Sequence, residues 1–166
     1  FRGSFAGFAI GTPGFESAVK DYVTFWANHM KALGLKPEQM LWLLIDEPRD
    51  IETDKLIVAW GKAIRAANTG IQIWEDPIYS DMSDAHPELG AVCHILCPNR
   101  TMFLRAPEQY GRYFLEQRDK GVTLEFYSCR GPARLLDPYA YYRMQAWSCW
   151  QHEAISTNFW AWGDNA

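Results

Sequence analysis

The sequence predicts an α/β fold, the C-terminal part of a (β/α)8 TIM barrel made of about five βα units. Three observations predict it. Short apolar runs alternate with amphipathic segments, with few hairpin signals and no repeat of fixed length. No Gly-rich phosphate loop follows any strand, which disfavours a nucleotide-binding sheet. Polar and aromatic residues gather after each strand, where a barrel keeps its working groups. Five parallel strands would also fit an open doubly wound sheet, and the last two observations favour the barrel. A complete barrel takes ~250 residues, so these 166 residues have room for about five of its eight units.

The elements follow in order. Val19, Tyr22, Val23, Trp26, Met30 and Leu33 recur at helical spacing over 14–33, and Gly34 supplies a stop. Residues 40–45 are apolar on both faces, as a strand buried between two layers must be. A helix over 53–67 carries Leu56, Trp60, Ile64 and Ala67 on one stripe, with Glu52 and Asp54 near its positive end. A strand over 71–74 leads into a long polar loop over 75–90, and a third strand spans 91–96. Pro107 opens a helix carrying Tyr110, Tyr113, Phe114 and Arg118 and ending near Gly121. A fourth strand covers 122–127. Asp137-Pro138 reads as an N-cap with proline at the first helical position, opening a helix to about Glu153. A fifth strand covers 157–162.

Composition narrows the function classes. With 48% hydrophobic and 22% charged residues the chain can bury a real core. A formal charge of -4 gives no electrostatic footprint for nucleic acid. The apolar runs fall well short of the ~20 residues of a membrane span. Aromatic residues reach 15%, eight of them Trp, which suits a cleft lined with flat rings. The sequence begins at Phe1 without a recognisable signal peptide and ends directly after a dense aromatic strand. It therefore reads as a piece of a longer polypeptide, one partial catalytic domain over 1–166, and its compartment stays open. Isolated, such a half-barrel would expose unpaired strand edges and is expected to be inactive or aggregation-prone.

Cys93, Cys97, Cys129 and Cys149 form no C-x-x-C pair and read as buried thiols, Cys93 and Cys97 on one strand. His152-Glu153 begins an H-E-x-x-H pattern, but position 156 is Ser, so no metal is expected. No cofactor is implied. His29 and His94 read as structural, and His86 as an exposed loop residue. Trp26, Trp60, Trp147 and Trp150 recur at helical spacing and read as core. Arg100 and Arg130 follow strands and read as partners for Asp, with an acidic sugar as the alternative.

The strand ends collect one coherent set: Asp46-Glu47-Pro48, Trp74-Glu75-Asp76-Pro77, Cys97-Pro98-Asn99-Arg100, Tyr127 through Pro132, and Trp162-Gly163-Asp164-Asn165. Carboxylates, amides and rings on one rim suit a carbohydrate, whose C–H faces stack on rings and whose hydroxyls need paired donors and acceptors. Asp46-Glu47-Pro48 is the sharpest feature. Neighbouring side chains on a strand point to opposite faces. Both acids therefore serve one site only where the strand breaks, and Pro48 supplies a reason for a break. A partly desolvated carboxyl there can act as a general acid, with its neighbour stabilising positive charge. Loop acids preceding a helix N-terminus are the structural alternative.

Leu44-Ile45-Asp46-Glu47-Pro48 closing an apolar strand resembles the catalytic segment of glycoside hydrolase family 123, the β-N-acetylgalactosaminidases and their relatives. So do Phe126 through Cys129, Gly131-Pro132, Leu136-Asp137-Pro138, Tyr142-Arg143, Gln145-Ala146-Trp147 and Phe159 through Asp164. The resemblance runs from about Trp26 to Asn165. It implies a barrel whose first three strands precede this chain, and retaining, substrate-assisted hydrolysis of 2-acetamido sugars. Glu47 would protonate the leaving oxygen, and Asp46 would orient the acetamido group as it attacks the anomeric carbon. Trp74, Tyr127, Trp160 and Trp162 would line the sugar pocket, with Asp76 and Asp164 binding hydroxyls. The implied partner is an amino-sugar-containing glycan. Two other readings stay open: a conventional retaining glycosidase using Glu47 as acid and Glu125 as nucleophile, and a non-catalytic carbohydrate-binding barrel.

Overall fold

A computed structural model describes residues 3–129, 137 and 139–160. Within them the fold is mixed α/β, built on a four-stranded parallel sheet with helices packed against it. The described residues open with a hairpin, β1 (Ser4–Phe5) and β2 (Phe8–Ala9), for which the sequence carries no expectation. Its turn residues Ala6 and Gly7 both take positive φ, which suits a tight turn between antiparallel strands. Helix α1 (Pro13–Ala32) starts on Thr12, whose hydroxyl accepts the Phe15 N–H at 3.3 Å. It buries Phe15, Val19, Val23, Ala27 and Met30 as one stripe. Tyr22 and Leu33, expected on that stripe, are exposed.

Strand β3 (Leu41–Leu43) is followed by α2 (Ile51–Ala66), capped by Asp50, which accepts the Thr53 N–H at 2.8 Å. Then come β4 (Gln72–Glu75), α3 (Leu89–Val92) and β5 (Ile95–Leu96). Helix α4 (Arg100–Arg105) is capped by Asn99, and a wide π-type turn over Pro107–Gly111 leads into α5 (Arg112–Asp119). Strands β6 (Thr123–Leu124) and β7 (Phe126–Cys129) are separated by Glu125 alone. A second π-type turn, Tyr139–Arg143, precedes α6 (Met144–Gln151), and β8 (Thr157–Trp160) closes the series. Asp137 accepts the Tyr139 N–H at 2.9 Å, in line with its expected capping role.

The sheet runs β3-β4-β5-β6, all parallel, and β7 pairs in parallel with β8. Glu125 N–H donates to Leu96 O (3.0 Å), Tyr127 N–H to Pro98 O (3.2 Å) and Ile155 N–H to Leu124 O (2.9 Å). These bonds carry the ladder across the break, so the strands stand side by side in chain order. A doubly wound sheet reverses its order at a switch point, and this series does not. Ile73, Leu96, Leu124 and Phe126 join the helices' buried residues in one core cluster. Their alternates Trp74, Cys97, Glu125 and Tyr127 share the opposite face with Asn158 of β8.

Two strand expectations are corrected. Residues 40–45 are not a strand buried between two layers: β3 is short, lies at the sheet edge, and leaves Leu41 48% and Leu43 39% exposed. Residues 91–93 are not strand but the end of α3 and the residue after it, because Val92 packs against the bare Gly61 of α2. Cys93 and Cys97 accordingly flank β5 instead of sharing it. No described helix is long and apolar enough to cross a membrane.

Candidate functional site

At the carboxyl ends of the parallel strands lies a cavity of about 380 Å³. Asp46, Glu47, Trp74, Asp76, Tyr127 and Trp160 all line it, joined by Leu43, Cys129, Asn158 and Phe159. Of the expected site residues, only Trp162 and Asp164 lie outside the described residues. Trp160 lines the cavity and is 68% exposed.

Both acids reach the cavity because β3 ends at Leu43, three residues before Asp46. The chain then bends through residues 44–47, and Glu47 takes φ +47. That left-handed backbone costs a β-carbon-bearing residue about 1–3 kcal/mol, so surrounding bonds must hold it. The tail of β4 supplies them. Glu75 Oε1 accepts the Leu44 N–H at 2.9 Å, and Asp76 Oδ1 accepts the Glu47 N–H at 2.9 Å. From β7, the Tyr127 hydroxyl donates to Glu47 Oε1 at 2.6 Å. One carboxylate oxygen is thereby occupied, and a proton carried by Glu47 belongs on Oε2.

Burial dominates the electrostatics. It pushes the Asp76 carboxyl up to about 7; the Glu47 N–H acts in the opposite sense, and the nearby charges of Asp46 and Glu47 add to the rise. Burial likewise drives Glu75 up to about 9, against the stabilising Leu44 N–H, with Asp76 adding to the shift. Glu75 Oε2 has no partner among the described residues, which fits a carboxyl that keeps its proton. The Tyr127 hydroxyl is raised above its ordinary value, first by burial and then by its bond to Glu47.

Beneath the cavity, Glu125 is buried at the interruption between β6 and β7. Its Oε2 accepts Trp74 Nε1–H at 2.8 Å and Asn158 Nδ2–H at 3.1 Å. Glu125 therefore supports two lining residues from below and does not itself line the cavity. Asn158 Nδ2 also reaches Cys97 Sγ at 3.6 Å. From α6, the buried Gln145 donates to Thr157 Oγ1 at 2.7 Å and Asn158 O at 2.8 Å, fixing β8.

Several other expectations need correction. Among the described residues Arg100 pairs with no Asp: it donates to Ser148 Oγ at 3.0 Å and Ala140 O at 3.1 Å, tying the β5 end to the α6 region. Arg130 lies outside the described residues. Cys93, Cys97 and Cys149 are buried, but Cys129 is exposed at the cavity. Trp60 is core and Trp26 half-buried, whereas Trp147 and Trp150 are exposed on α6, the latter 77%. The Nδ1 of His94 accepts the Ile73 N–H at 2.9 Å, a structural role as expected. Glu75, collected with the rim residues from sequence, does not line the cavity but is buried and accepts the Leu44 N–H, and Asn158 carried no expectation.

The roomier groove of about 820 Å³ between α1 and α2 is lined by Lys20, Lys55 and Lys62. Lys55 and Lys62 are spent on Glu52 and Glu88 as exposed ion pairs. Among the described residues, no three His, Cys, Asp or Glu side chains gather to hold a metal ion. Comparison with family models, with curated proteins and with solved structures found no match for the chain.

Proposed function

We propose that the chain is part of the catalytic domain of a glycoside hydrolase acting on 2-acetamido sugars by a retaining, substrate-assisted route. The observation that carries this reading is the single cavity at the strand ends, lined by Asp46, Glu47 and Asp76 together with Trp74, Tyr127 and Trp160. Rings offer faces for the sugar's C–H surfaces, and carboxylates serve its hydroxyls and the reacting centre. Glu47, with Oε1 held by Tyr127, delivers a proton from Oε2 to the leaving oxygen. Asp46 faces the same space and orients the acetamido group, whose oxygen attacks the anomeric carbon and is later displaced by water. The fold proposal belongs with it. Parallel strands in chain order, with helices packed on one face, support reading the fold as the arc of a (β/α)8 barrel, about five of its eight units.

Glu47→Gln tests the reading. Hydrolysis of an aryl 2-acetamido-2-deoxy-β-hexoside should collapse while sugar binding, followed by tryptophan fluorescence, survives. Hydrolysis that persists removes Glu47 as the acid. Binding without hydrolysis in the complete polypeptide leaves a carbohydrate-binding barrel. A thiazoline mimic of the cyclised intermediate should inhibit strongly, and its failure removes the substrate-assisted route.

A further inference from the structure

Four described non-glycine residues take positive φ: Ala6, Glu47, Asn68 and Glu153. Ala6 sits in the hairpin turn, and Asn68 and Glu153 follow the ends of α2 and α6, where left-handed residues are ordinary. Glu47 alone stands at a strand end beside a cavity. Its side-chain direction depends on a backbone conformation that the sequence around it does not favour, since Pro48 biases its predecessor toward extended structure.

The bond that meets this conformation directly is Asp76 Oδ1 to the Glu47 N–H. Asp76 is almost fully buried, and its backbone continues β4 beside the bend. Glu75, one residue earlier, grips the start of the same bend through Leu44. Consecutive carboxyls at the end of β4 and just beyond it thus take up N–H groups of the bend where β3 leaves the sheet. We infer that Asp76 is a positioning residue, acting through the Glu47 backbone to hold the acid against Tyr127 and over the cavity. The role expected for it from sequence resemblance, direct binding of sugar hydroxyls, is a different one. The kinetic half of the test rests on the hydrolase reading, and the structural half does not.

Crystal structures of Asp76→Ala and Asp76→Asn give the structural readout. In the alanine variant Glu47 should leave its left-handed backbone and lose the Tyr127 contact. In the asparagine variant the side-chain carbonyl still accepts the N–H, and Glu47 should stay in place. Asp76→Ser, polar but too short to reach, provides the same readout should the alanine variant fail to fold. A Glu47–Tyr127 contact that persists in the alanine or serine variant overturns the inference, whatever the activity.

The kinetic readout compares leaving groups. An acid held out of place matters for a phenyl glycoside and little for a 2,4-dinitrophenyl glycoside, which departs without protonation. In Asp76→Ala, kcat for the phenyl 2-acetamido-2-deoxy-β-hexoside should fall about a hundredfold and for the dinitrophenyl analogue less than about tenfold, with KM held. Equal losses on both with a raised KM overturn positioning and make Asp76 a sugar ligand. If the complete polypeptide cleaves neither glycoside while Glu47 still shifts in the variant, the hydrolase reading fails and the positioning role stands.

Discussion

The Tyr127 hydroxyl donates to Glu47 Oε1 at 2.6 Å, joining residues 80 positions apart in the chain. The bond crosses from β7 to the bend after β3 and fixes which carboxylate oxygen faces outward. A hydrogen bond to a charged or reacting group is worth about 1.5–3 kcal/mol.

Tyr127→Phe should therefore lower kcat by roughly tenfold to a hundredfold, with a smaller effect on folding. Steady-state kinetics alongside urea denaturation check this. An unchanged kcat would mean that Glu47 needs no partner on Oε1.

Stability should fall as pH rises, because burial raises the carboxyls of Glu75, Asp76 and Asp54 and the folded state binds more protons there than the unfolded chain. Asp76 titrates near 3.8 unfolded and about 7 folded, and Glu75 near 4.5 unfolded and about 9 folded. Each group's stabilising contribution is complete below its unfolded value and lost as pH climbs through its folded value. Urea midpoints should drop between about pH 4 and about pH 9, and Glu75→Gln should flatten the upper part of that decline. A flat profile in the unaltered protein contradicts this.

Glu125→Ala should strip the acceptor from Trp74 and Asn158 together. Trp74 Nε1–H loses its acceptor while Asn158 keeps only the weaker Cys97 contact, a cost on the order of 1–3 kcal/mol that thermal denaturation should resolve. Glu125→Gln retains one acceptor oxygen and should keep measurable hydrolysis. Complete loss in the glutamine variant, with folding intact, would restore Glu125 as a nucleophile.

The outer edge of β3 has no partner strand among the described residues, and exposed Leu41 and Leu43 flank it. An edge of this kind templates pairing with another chain. The 166-residue polypeptide should self-associate, and Leu41→Lys should reduce that association in light scattering. Equal behaviour of the two proteins rules the edge out as the cause.

Helices were legible in the sequence where apolar residues recurred at helical spacing, over 14–33 and 53–67, and where Asp137 read as a cap; the caps Thr12 and Asp50 emerged only in the structure. The gathering of Asp46 and Glu47 on one side was legible too, since the proline after them argues for a break. Less visible were features set by distant partners. Residues 91–93 follow β-propensity in isolation, yet packing of Val92 on Gly61 curls them into a helical turn. Trp147 and Trp150 keep helical spacing whether they face the core or solvent, so periodicity alone misassigned them. Nor does any local pattern mark Glu75 as the acceptor for an N–H 31 residues away.

The shared grip of Glu75 and Asp76 on the neighbouring bend makes two strand tails a single inheritable module. Exchanging the acidic loop after β3 between scaffolds, by recombination or by design, would transplant the reactive groups but not the frame that aims them. A functional graft has to carry the end of β4 with it.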